Sequence, residues 1–267
     1  MMYKYNVSIL TMFKNESMII KEWLEYYIKK QNIEHFYLID NGSTDNYEEK
    51  ILKYSNYYDL IKDDYRQQFE TQKVLFNKYF LDKIKKESKW IIVIDIDEYI
   101  YCTNNQTINT FLLSINMDEY NSIYIPWKIF GSSNYNKQPK DIINSFTLRE
   151  NNNNILDRIT KWQTGFFKEI CLTENINTLN IHECETKKQK AIYKKKELIT
   201  NPNIYLINFP IKLNHYMVMS KEYYEKIKCS RGGGASSKCY KYTMNYFNDT
   251  LKQFNMIEDL ELKTIIN

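Results

Sequence analysis

Glycine and proline are scarce: the 267 residues include six of the first and four of the second. Collagen-like repeats and glycine- or proline-rich low-complexity architectures are thereby excluded. Cysteine is limited to positions 102, 171, 184, 229 and 239, with no Cys-x-x-Cys pair. An odd count at irregular spacing makes no disulfide framework and fits free thiols in a reducing compartment. His182, Cys184, Cys229 and Cys239 could be imagined around zinc, but no pair of them has finger spacing. No apolar run is long enough to span a bilayer, and the one after the polar first five residues is too short for a signal-peptide core. These absences predict a cytoplasmic protein with no transmembrane segment. Neither sign of charge dominates. A net charge of +4 calls for no nucleic-acid partner, though it suits an anionic ligand.

The chain is 43% hydrophobic and 26% charged, ordinary for a globular protein with room for a sizeable core. Its organising stretch is Trp90-Ile91-Ile92-Val93-Ile94-Asp95-Ile96-Asp97-Glu98. A β-branched apolar run reads as a strand buried on both faces. It runs straight into three carboxylates. Period-two alternation would put Asp95 and Asp97 on one face and Ile96 and Glu98 on the other. Like charges that close repel unless a cation sits between them and a ligand. A hard divalent ion held by one or two carboxylates plus substrate phosphates meets that need. Glu98 could instead cap the turn that follows.

Strand signals at 6–13, 35–40, 58–62 and 90–94 alternate with helical patterns after 17, at 47–55 and at 68–86. That alternation predicts βαβ crossovers and a parallel sheet, with helices on both faces. Asp40 and Asp95 both end strands, so they can line one cleft at the carboxyl edge. The second half is less regular. Strands are expected at 122–130, 166–172, 179–182, 204–209 and 212–217, and helices at 107–113 and 220–228. A Gly/Ser loop at 231–238 reads as a mobile lid, and the tail from 240 as helical. The basic run 187–196 reads as a solvated face. The expected division is 1–102, 103–239 and 240–267.

Three segments carry a family likeness: Val7-Ser8-Ile9-Leu10-Thr11 with Asn15-Glu16, then Asp40-Asn41-Gly42-Ser43-Thr44-Asp45, then Asp95-Ile96-Asp97-Glu98. They resemble GT-A nucleotide-sugar glycosyltransferases, the middle one being similar to the family 2 signature. The finer resemblance is to the family 92-like group, through Lys14-Asn15-Glu16, Glu22-Trp23-Leu24, Gly131-Ser132-Ser133, Asn214-His215-Tyr216 and Arg231-Gly232. It implies an α/β GT-A fold with a doubly wound mixed sheet in a single domain. It also implies a hexosyl transfer from a UDP-type donor to a glycan or glycoprotein hydroxyl, with inversion, aided by Mn²⁺ or Mg²⁺.

On this resemblance Asp97 and Asp95 would hold the ion, with His215 as the late ligand and His182 in reserve. Asp40, Asn41, Ser43 and Asp45 would hold base and ribose, with Thr11, Asn15 and Glu16 beside the same crevice. Gln72 on the long helix, Ile96 next to the acids and Arg231 near the diphosphate complete the donor side. Inversion needs a general base. Asp157 is the first choice, with Asp141 and Glu150 behind it. Trp127, Phe130 and Trp162 could form a sugar-stacking wall or simply core. The rival reading is a non-catalytic binding module on the same fold. A nucleotidyltransferase would want a Gly-rich basic N-terminal loop, and Lys14-Asn15-Glu16-Ser17 is not one.

Overall fold

The computed structural model describes residues 2–63, 71–187, 190–192, 195–231 and 242–267. The expected start of the long helix at 68, most of the Gly/Ser loop, Cys239 and part of the basic run lie outside the described residues.

Among the described residues twelve strands follow in chain order: β1 (Tyr5–Phe13), β2 (His35–Asp40), β3 (Tyr58–Lys62), β4 (Ser88–Val93), β5 (Glu98–Cys102) and β6 (Ser122–Ile129) come first. After them come β7 (Leu148–Arg149), β8 (Phe167–Leu172), β9 (Ile176–Thr178), β10 (Glu185–Thr186), β11 (Ile211–His215) and β12 (Ile257–Glu258). Eight of them make one mixed sheet in the order β3-β2-β1-β4-β8-β6-β11-β5. The first four run parallel. β8 enters antiparallel between β4 and β6, and β11 lies parallel to β6 and antiparallel to β5.

Alternate residues of the parallel strands feed two cores. Ile9, Leu38 and Ile92 face one, and Leu10, Ile39 and Ile91 face the other. A parallel sheet needs both faces covered. Helix Ile20–Lys29 covers the first with Ile20, Trp23, Leu24 and Tyr27, which recur at helical spacing. Helix Thr71–Tyr79 and the π-helical turn Phe80–Ile84 cover the second with Leu75, Phe76, Phe80 and Ile84. This is the doubly wound α/β class expected from the sequence. Among the described residues no helix is long and apolar enough to cross a membrane.

Edge strand β5 would expose unpaired backbone. Helix Ile20–Lys29 closes that edge. The Trp23 indole and the Tyr27 hydroxyl donate to the Glu98 carbonyl at 3.1 and 3.0 Å, and the Ile100 N–H donates to the Tyr27 oxygen at 2.8 Å. The C-terminal segment is pinned by charge: Lys128 Nζ lies 2.9 Å from Asp259 and 3.0 Å from Glu261, while Arg149 and Lys212 hold the same two acids.

Three local expectations are corrected. Residues 204–209 contain helix Asn203–Ile207 rather than a strand. Residues 179–182 are not a strand; β9 ends at Thr178 and pairs with β10. Strand β4 stops at Val93, so Asp95 and Asp97 sit in a turn and strand alternation does not set their directions. Short apolar runs fit either period, and the tertiary partners decide.

Candidate active site

The acidic turn lies past the carboxyl end of β4, where open α/β sheets bind ligands. Ile96 anchors it in the core at 2% exposure. The Glu98 carboxylate, fully buried, accepts the Asp95 N–H at 2.9 Å and closes the turn. Glu98 therefore serves as the local cap. Burial pushes its carboxyl well above the usual range, with the charges of Asp95 and Asp97 adding to the effect over the opposing pull of Lys168.

Antiparallel pairing of β11 with β5 sets His215 opposite Glu98. The Tyr216 N–H donates to the Asp97 carbonyl at 2.8 Å. That register delivers His215 Nε2 to 3.5 Å from Asp97 Oδ1. The other Asp97 oxygen meets Lys228 Nζ at 2.5 Å. Burial raises the Asp97 pKa, but the Lys228 ammonium and the His215 imidazole outweigh it and hold the carboxyl well below its usual range. Asp95 has its own lysine: Lys168, on β8 and wholly buried, lies 3.0 Å from Asp95 and 3.4 Å from Glu98. Its ammonium overcomes burial and lowers the Asp95 pKa.

A cleft of about 820 Å³ opens over this turn. Of the residues singled out from the sequence, Glu16, Asn41, Gln72, Asp95, Ile96, Asp97, Asp157, His215 and Arg231 line it. Glu16 is buried and engaged, taking the Tyr223 hydroxyl at 2.6 Å and an ion pair from Arg231. Arg231 also donates to the Lys14 carbonyl at 3.2 Å. The helical stretch 221–231 thus brings one cation to Asp97 and a second to Glu16.

Thr11, Asn15, Asp40, Ser43 and Asp45 are not on the cleft wall, and all but Thr11 join the loops after β1 and β2. Asp40 accepts the Ser43 N–H at 2.7 Å and the Tyr47 hydroxyl at 2.9 Å. Asn15 takes the left-handed φ of 56°, accepts the Thr44 N–H at 2.7 Å, and donates its own N–H to Ser43 Oγ at 2.9 Å. Asp45 accepts the Ser17 N–H at 2.7 Å. Thr11 is buried within β1 opposite Leu38. These short polar side chains clasp the loops after β1 and β2 together.

Among the three acids considered as base, Asp157 lines the cleft, is 55% exposed and pairs with Lys161 at 2.8 Å. Glu150 is fully buried and held by Arg158. Asp141 caps helix Ile142–Ser145 through the Asn144 N–H at 2.9 Å. His182 is also on the cleft wall, with Nδ1 placed 2.9 Å from the Phe167 carbonyl. Trp127 stands between the two histidines, its ring 4.2 Å from that of His215 and 5.6 Å from that of His182. Phe130 and Trp162 pack in the core.

Lys168 escaped the sequence reading. Its signal was there: Phe-Lys-Glu-Ile-Cys-Leu places a lysine and a glutamate inside an otherwise apolar strand, where charged residues are buried only when paired. Gln253 and Phe254, which also line the cleft, come from helix Met244–Phe254 and left no sequence signal.

Asp97 Oδ1 and His215 Nε2 offer an oxygen and an imidazole nitrogen to one ion. Mn²⁺ or Mg²⁺ at about 2.1 Å from each would span their separation and leave positions for water and phosphate. Among the described residues no third His, Cys, Asp or Glu ligand atom closes on this pair. The residues present therefore fit a two-ligand site completed by the substrate.

A mixed sheet with an acidic turn and a cleft at the carboxyl end of its parallel half defines an α/β protein with its ligand site at the strand ends. The chain belongs to glycosyltransferase family 92, whose model matches residues 3–255. A glycosyltransferase family 92 protein of Oryza sativa subsp. japonica is 24% identical over 148 residues, covering 54% of this chain. The chain spans 25% of that relative's length. Among solved structures, S. aureus TarS 1–349 is 18% identical with a TM-score of 0.39, over 79% of this chain and 58% of that one. The mannosyltransferase PcManGT from Pyrobaculum calidifontis, in complex with GDP-Man and Mn²⁺, is 13% identical with a TM-score of 0.37, over 62% and 44%.

Proposed function

We propose that the chain is a glycosyltransferase that moves a hexosyl group from a UDP-type donor to a hydroxyl of a glycan or glycoprotein, with inversion and with a divalent ion. The observation that carries this reading is Asp97, buried on the cleft floor between His215 and Lys228. Asp97 and His215 would hold Mn²⁺ or Mg²⁺, and such an ion offsets charge on the leaving diphosphate. Lys228 and Arg231 line the same wall and add positive charge. Asn41 and Gln72 line the cleft where the nucleotide would lie. Asp157 would take the acceptor proton. On this reading residues 1–102 form the donor side and 103–239 the acceptor side, with the tail 240–267 adding Gln253 and Phe254 to the wall.

Lys228 itself favours a second reading. Its ammonium already sits where a cation is wanted, so with Arg231 it could neutralise the diphosphate without a metal. A thermal-shift titration with UDP separates the two. The first reading expects stabilisation with Mn²⁺ and little with EDTA. Equal shifts in both buffers sink the metal bridge and leave the lysine. A screen of nucleotide sugars for hydrolysis, read as released nucleotide, tests the transfer chemistry itself. No turnover of any donor under either condition would leave the binding-module reading standing.

A further inference from the structure

Away from the cleft floor, β8 presents Glu169 and Cys171 two residues apart, on one face of the strand. Residues 179–184 fold back over that face and add Cys184, whose N–H donates to Glu169 Oε2 at 2.8 Å. All three side chains are buried, and their ligand atoms lie within 4.8 Å of one another. We propose that Glu169, Cys171 and Cys184 form a zinc site, separate from the Asp97–His215 pair. Two sulfurs and a carboxylate oxygen suit zinc, whereas Mn²⁺ and Mg²⁺ prefer oxygen throughout. Zinc bonds of about 2.3 Å to sulfur and about 2.1 Å to oxygen set tetrahedral ligand atoms about 3.6–3.8 Å apart, and the three atoms here already lie within 4.8 Å of one another. Three protein ligands leave the fourth tetrahedral position to a water.

Burial disfavours the ionised forms of Glu169 and Cys171. It pushes Glu169 up to about 7 and the Cys171 thiol well above its ordinary value. Zinc binds thiolate and carboxylate, so loading releases protons and weakens at low pH. The site would act as a clasp. The ligand Cys184 closes the segment that carries Ile181 and His182 to the cleft wall, and β8 also carries Lys168 to Asp95. The combination of His182, Cys184, Cys229 and Cys239 conceived from sequence is replaced: Cys184 meets Glu169 and Cys171, and Cys239 lies outside the described residues.

The test is metal analysis of protein purified without chelator, together with Co²⁺ loading read by its thiolate-to-cobalt absorption. Stoichiometric zinc and a thiolate–cobalt band are expected in the wild type and in Asp97→Asn, with both lost in Cys184→Ser. Should Cys184→Ser fail to fold, Glu169→Gln and Co²⁺ titration of the wild type decide. The proposal is overturned by a wild type that takes up no zinc and shows no such band. Zinc retained in a folded Cys184→Ser, or a Cys171–Cys184 disulfide in non-reduced peptide maps, overturns it equally. Because Asp97→Asn keeps the expected signal, none of these outcomes depends on the transferase reading.

Discussion

Asp97 has a different partner on each carboxylate oxygen, and that decides how its loss is felt. From the sequence, removing one of two neighbouring charges relieves repulsion. In the structure Asp95 and Asp97 each have a lysine of their own, so repulsion is already met. Asp97→Asn leaves Lys228 buried with no carboxylate, and breaking a buried pair by removing one partner costs about 3–5 kcal/mol. The variant is expected to lose turnover and to melt lower. Adding Lys228→Met should recover part of the stability and none of the activity. Urea denaturation of the two single variants and the double variant measures the coupling.

Glu22 sits at the same scale with the opposite sign. Its carboxylate accepts the Ile142 N–H at 2.7 Å. Burial raises its pKa to about 8, the hydrogen bond from Ile142 opposing and Asp141 adding to the rise. The folded pKa lies above the unfolded value of about 4.3. Folded protein therefore binds the extra proton, and stability is fully present below about pH 4.3 and falls as pH rises towards 8. Glu22→Gln keeps an acceptor for Ile142 and removes the titration. It is expected to stabilise by on the order of 1–3 kcal/mol at pH 7 and by nothing near pH 4. Melting curves across that range check the crossover.

At the scale of elements, helix Ile20–Lys29 sets the edge strand that follows the acidic turn. The Tyr27 hydroxyl both donates to the Glu98 carbonyl and accepts from the Ile100 N–H. Tyr27→Phe leaves a buried backbone N–H unpaired, which costs about 1–3 kcal/mol. Because β5 also sets the register of β11, the loss should reach His215. Ion-dependent UDP binding is expected to weaken along with stability in denaturant titrations. A stability loss with unchanged UDP affinity would show that the register survives without Tyr27.

At the scale of the molecule, helix Met244–Phe254, which adds to the cleft wall, ends in a close approach to Gly131. A Cβ on Gly131 would stand 2.7 Å from the Phe254 carbonyl, a backbone atom that cannot swing aside. Gly131→Ala must push back the end of helix Met244–Phe254, which contributes Gln253 and Phe254 to the wall. Lower stability is expected, with a several-fold rise in acceptor KM and little change in donor hydrolysis. Hydrolysis that falls in parallel with transfer would place the helix on the donor side instead.

The sequence by itself determined the parallel half of the sheet. Apolar runs in β1, β2 and β4, and a helix with Ile20, Trp23, Leu24 and Tyr27 at one spacing, are local signals that can be read without knowing what packs against them. The acidic stretch past the end of β4 and the polar turns at 14–17 and 41–45 are legible in the same local way, though not the hydrogen bonds they make. Only the tertiary structure decided which charges meet. Lys168, His215 and Lys228 lie 73, 118 and 131 residues from Asp95 or Asp97, and strands β8 and β11 bring the first two there by antiparallel register. Register between distant strands is set by packing over the whole sheet, and an ammonium is tolerated in the interior only once that packing has delivered its carboxylate.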